Sequence, residues 1–67
     1  MKVVVNGVEE QWGVGVTVRG VVEGKGMNVE KVAVEVNRRL VRSAGGGYER
    51  ELKEGDVVEI VTFVGGG

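Results

Sequence analysis

The residues best placed to do chemistry are the last three, Gly65-Gly66-Gly67, which follow the apolar pair Phe63-Val64. Glycine has no Cβ, so a glycine tail can enter a narrow channel and leave its carboxyl carbon open to attack. From Val64 to Gly67 the chain reaches roughly 13 Å at ~3.3 Å per residue. That length puts the terminus inside a partner's active site while the body docks outside. An α-carboxyl group is ionised at neutral pH, and its oxygen can attack the α-phosphate of ATP held with Mg²⁺ by a partner. The acyl-adenylate so formed is electrophilic and accepts sulfur, which leaves a thiocarboxylate at Gly67. Gly67 is therefore the candidate reacting residue, with Gly65 and Gly66 as its tail. ATP and Mg²⁺ belong to the partner, and the chain itself is expected to bind no cofactor and no metal.

No other constellation competes. The chain has no His and no Cys, so the commonest general base and the best nucleophile are missing, as are the ligands of an ordinary zinc site. Ser43 is the only serine and has no base near it in sequence. The carboxylate pairs Glu9-Glu10 and Glu49/Glu51 read as solvated faces. Gly13-Val14-Gly15, Gly24-Lys25-Gly26 and Gly45-Gly46-Gly47 do not complete a phosphate-cradling spacing and read as loop punctuation. Arg38, Arg39 and Arg42 read as a solvated turn. A net charge of −1 with only three aromatics, Trp12, Tyr48 and Phe63, does not suit a nucleic-acid binder. The apolar start Met1–Val5 meets Asn6-Gly7 too soon for a signal peptide. No apolar run approaches the ~20 residues of a membrane span. A cytoplasmic protein without catalytic residues of its own, acting as another enzyme's co-substrate, is the expectation.

The elements that must present this terminus follow from hydrophobic period and turn chemistry. With 67 residues the chain is one domain that buries only about 60% of its unfolded surface, so valine must supply most of the core. Residues 1–64 are assigned to that domain and 65–67 to the tail. Asn6-Gly7 supplies the positive φ pair of a type I′ turn, which joins a strand at Lys2–Val5 to one at Val8–Trp12. Thr17 reads as a helix N-cap, with Val18, Val21 and Val22 on the inner face. Gly20 and Gly24 weaken that helix by about 1 kcal/mol each relative to alanine. Gly26 ends it, and Met27 turns back to the core. Val32, Val34 and Val36 alternate as a third strand. Asn37-Arg38-Arg39 forms a turn into a short strand at Leu40-Val41, and Ser43–Gly47 reads as a flexible loop. Leu52 fills the core, Glu54-Gly55-Asp56 turns, and Val57–Val64 forms the last strand. Period two points Val58, Ile60, Thr62 and Val64 inward and Glu59, Val61 and Phe63 outward. Val61, Phe63 and Val64, beside the tail, are the candidate partner-binding residues. The predicted class is α+β: one main helix on a mixed sheet of four to five strands, a ubiquitin-like β-grasp with its first and last strands parallel.

Over nearly its full length the sequence resembles the ThiS family of thiamine-biosynthetic sulfur carriers. The resemblance rests on Val5-Asn6-Gly7, Thr17-Val18 with Val21-Val22, and Val32–Asn37. Its strongest part is Glu54–Val61 running into Phe63-Val64-Gly65-Gly66-Gly67. It implies that an E1-like adenylyltransferase of the ThiF type activates Gly67. A sulfur donor such as a cysteine desulfurase would supply the thiocarboxylate sulfur, and a thiazole synthase of the ThiG type would accept it. Gly20, Gly24 and Gly45-Gly46-Gly47 depart from the family's usual helix formers and bulkier loop residues, which bears on stability rather than chemistry. Two readings stand beside this one. The small subunit of molybdopterin synthase shares the fold and the Gly-Gly end, and a plain β-grasp interaction module would carry the tail inertly.

Overall fold

The computed structural model describes residues 1–63. The terminal tail 65–67 and Val64 lie outside the described residues. The chain runs β1 (Lys2–Val5), β2 (Val8–Gln11), α1 (Val18–Gly24), β3 (Val32–Val36), β4 (Arg39–Leu40) and β5 (Val57–Thr62). The strands form one five-stranded sheet in the order β2-β1-β5-β3-β4. β1 and β5 are parallel neighbours, and the remaining pairs are antiparallel. This is the expected β-grasp, with the last strand at the centre of the sheet.

Local chemistry explains each junction. Asn6 and Gly7 take φ of 49° and 83°, the paired left-handed conformation that matches hairpin twist. Thr17 Oγ1 accepts from Gly20 N at 3.0 Å and caps α1. At the other end Gly26 N donates to the Glu23 carbonyl at 2.9 Å and Met27 N to that of Val22 at 3.1 Å. With Gly26 at φ 80° this is a Schellman stop. Val18, Val21 and Val22 of α1 pack on Val3, Val5, Val34, Val36 and Val58 of the sheet, all fully buried. The packing, not helix propensity, holds so short a helix together.

Four boundaries differ from the sequence expectation. Ser43–Gly47 is not a plain loop, because Ala44–Glu49 winds into 3₁₀ turns kinked at Gly45 and Gly46. That winding buries Tyr48 against the core. Gly47 makes it possible, because a Cβ there would sit on the Arg42 carbonyl oxygen. The turn after β3 is Asn37-Arg38 alone, both at positive φ, so the fourth strand is Arg39–Leu40 rather than Leu40-Val41. The second strand stops at Gln11. The fifth stops at Thr62, where β3 begins opposite it and pairing runs out. Thr62 is accordingly exposed, although its period places it on the inner side.

Candidate functional site

The site is the end of β5 and the open face of the sheet around it. Two asparagine clasps fix β5. Asn6 N donates to the Val58 carbonyl at 2.9 Å, and Ile60 N donates to Asn6 Oδ1 at 2.8 Å. The turn residue Asn6 thus extends the parallel β1–β5 ladder beyond the end of β1. Asn37 holds the start of β5: Val57 N donates to its Oδ1 and its Nδ2 donates to Asp56 Oδ1, both at 2.9 Å. Asp56 Oδ2 accepts from Lys53 N at 2.8 Å. Burial pushes the Asp56 carboxyl up. The Asn37 amide, the Lys53 N–H and the nearby Arg50 and Lys53 charges outweigh it and hold it below the usual carboxylate range.

Period two then sorts the side chains. Val58 and Ile60 go inward, whereas Val61 and Phe63 stand 62% and 61% exposed. Both predicted outward residues are therefore on the solvent side, adjoining the tail. Phe63 N still donates to the Lys31 carbonyl at 3.1 Å, so the backbone is pinned at the last described residue. Val64, Gly65, Gly66 and Gly67 fall outside the described residues. The sequence reading missed the rest of the open face. The register Val4↔Val57, Ala33↔Val61 and Glu35↔Leu40 places these side chains beside those of β5, with Val57 and Leu40 exposed. Extending the alternation to β1, β3 and β4 together would have found them.

Elsewhere among the described residues nothing resembles a catalytic centre. Ser43 lines a surface groove of about 440 Å³ with Arg19, Glu30 and Tyr48, but no base stands with it. Arg19 is committed to Glu49 at 2.8 Å. No group of three or more acidic, His or Cys side chains is placed to hold a metal among the described residues. No described helix is long and apolar enough to cross a membrane.

A single helix grasped by a mixed sheet, with exposed apolar residues on the last strand leading to a glycine tail, places the molecule in the ubiquitin-like β-grasp class. The ThiS family model matches residues 2–67, so the match includes Gly65, Gly66 and Gly67. The solved thiamine biosynthesis protein ThiS of Geobacter metallireducens superposes with a TM-score of 0.77 at 30% identity, each chain covered over 100% of its length. This chain belongs to the ThiS family, the sulfur carriers of thiamine biosynthesis. It is also similar to two curated thiazole synthases. That of Magnetococcus marinus is 42% identical over 67 residues, and that of Paramagnetospirillum magneticum is 38% identical over 68. Each match covers 100% of this chain but 20% of the relative, so the chain spans a fifth of those proteins' length.

Proposed function

We propose that this chain carries sulfur for thiazole formation as a thiocarboxylate at Gly67, acting in the cytoplasm as a protein co-substrate rather than as an enzyme. The observation that supports it most is the family match running unbroken through the glycine end. The chemistry divides between the tail and its partners. An E1-like adenylyltransferase of the ThiF type binds ATP and Mg²⁺. The Gly67 carboxylate oxygen attacks the α-phosphorus, the α–β phosphoanhydride bond breaks and pyrophosphate leaves. A persulfide sulfur from a donor such as a cysteine desulfurase then attacks the acyl carbon, and AMP departs with the C–O bond electrons. Reductive cleavage of the S–S bond by a thiol leaves the thiocarboxylate. A thiazole synthase of the ThiG type takes that sulfur, and the likeness to thiazole synthases favours this acceptor over a molybdopterin one.

The chain's own contribution is presentation. β5 is the innermost strand of the sheet, so its end is fixed in direction, and a side-chain-free tail offers an acyl carbon without steric cover. Intact-mass analysis after co-expression with the partner enzymes tests the proposal. The expected result is a mass gain equal to sulfur replacing oxygen, localised to Gly67. Recovery of lysine-linked conjugates with no such shift would instead mark a protein modifier, and an unmodified terminus under active partners would mark an inert tail.

A further inference from the structure

The open face of the sheet carries a charge arrangement that the free chain does not satisfy. Glu35 of β3 and Glu59 of β5 are directly opposed in the antiparallel ladder, and both are exposed. Directly opposed side chains on one face have Cβ atoms roughly 4.5–5.5 Å apart, and like charges in that relation destabilise the pair. No lysine or arginine among the described residues makes an ion pair with either carboxylate. Among those residues, Lys2 is placed on this face by the register, and it stands by Glu9 at 4.0 Å.

The surroundings of the pair are apolar. Along β5, Val57 and Val61 flank Glu59 on the same face, and across the sheet Ala33 and Leu40 lie beside Glu35. Two carboxylates set among exposed apolar side chains are an unfavourable arrangement in isolation. They suit an interface whose apolar area closes around a centrally placed cation. A guanidinium is the matching group, because its planar fork can bond two carboxylates at once and it is weakly hydrated. A desolvated charge pair at the centre of a docked surface carries more of the affinity than one at the rim.

We propose that this face docks on the adenylating enzyme through an apolar surface that inserts an arginine between Glu35 and Glu59. The identity of the partner rests on the carrier reading; the docking chemistry rests on the sheet face. The pair therefore trades stability of the free chain against recognition, and that trade separates a docking role from a structural one. A structural role makes removal of either charge destabilising or neutral and leaves binding alone.

The experiment uses the full chain, Glu35→Gln, Glu59→Gln and the double variant, with a purified ThiF-type adenylating enzyme. Melting curves of the free chains, calorimetric binding without ATP, and pyrophosphate release with ATP are measured. Each single substitution is expected to raise Tm by about 1–4 °C, since relief of opposed charge amounts to a fraction of 1 kcal/mol in a domain this small. Each is also expected to raise Kd at least tenfold and to flatten its dependence on salt. The double variant is expected to bind little worse than either single one, because one arginine serves both carboxylates. Unchanged Kd and salt dependence in both single variants would overturn the docking inference, with pyrophosphate release still upholding the carrier reading. Tight, Glu-dependent binding without pyrophosphate release would uphold the docking inference and count against the carrier reading. Absence of binding by the parent chain would overturn the docking inference.

Discussion

At Gly24 the neighbouring side chains reverse the preference that helix propensity alone would set. Alanine there should favour the helix by about 1 kcal/mol. In the fold a Cβ at Gly24 would lie 2.7 Å from Trp12 Cη2 and 2.8 Å from Cζ3. The indole has little freedom to withdraw, because its Nε1 donates to Glu10 Oε1 at 3.0 Å and Glu10 is paired with Lys25. The Lys25 ammonium, with the indole N–H, holds the Glu10 carboxyl below its usual range against the effect of desolvation. Gly24→Ala is expected to lower stability by about 1–3 kcal/mol, the usual effect of overpacking, read as a lower denaturant midpoint. Paired with Trp12→Leu, the same alanine should become neutral or stabilising. Strictly additive losses would clear the ring of blame. Asp56 supplies a second prediction at this scale. Its carboxyl is lowered in the folded chain, so its contribution is fully present above the unfolded value and is lost as pH falls through the carboxylate range. Asp56→Asn should reduce Tm at neutral pH, and its Tm should fall less steeply than the parent's between about pH 5 and about pH 2. Parallel slopes would remove Asp56 from the acid response.

At the scale of elements, the sequence is informative wherever pattern and turn chemistry are local. Asn6-Gly7 places the β1–β2 hairpin, valine spacing places α1 and β3, and alternation divides Val58 and Ile60 from Val61 and Phe63. The expectation goes astray where structure depends on distant partners. Glycines at 45–47 read as freedom, yet the left-handed pair Gly45-Gly46 bends the chain so that Tyr48 reaches the core. Nothing local to Asp56 announces Asn37, 19 residues away, or shows that the two together hold the start of β5. The partner-facing side of β5 was legible because it lies on one strand, whereas the remaining open face was not, since it needs the register of four strands at once. Phe63 tests the part that was legible. Its side chain is exposed beyond the sheet's last pairing, so Phe63→Ala should change folding stability by no more than about 0.5 kcal/mol, as surface changes do. KM for the adenylating enzyme should rise with little change in kcat, because docking rather than the reacting atoms is affected. Adenylation kinetics equal to the parent's would refute a docking role for Phe63.

For the whole molecule the question is whether folding and chemistry separate. Among the described residues the buried cluster is closed by Ile60, and the ladder that fixes β5 ends at Thr62. Function is assigned to residues beyond both, so the body acts as a handle and the tail as the substrate. Deleting Gly65–Gly67 should therefore leave Tm within about 2 °C of the parent, since surface changes of ±0.5 kcal/mol move a domain of this size by no more than about 2–4 °C. The truncated chain should retain binding to the adenylating enzyme through the open sheet face while releasing no pyrophosphate. It should also compete with the full chain for that enzyme, raising apparent KM without lowering kcat, as a docked body with no acyl end would. A fall in Tm well beyond that range would mean that the tail belongs to the fold. Loss of competition with Tm unchanged would place the binding energy in the glycines rather than in the body, and the division of labour would not hold.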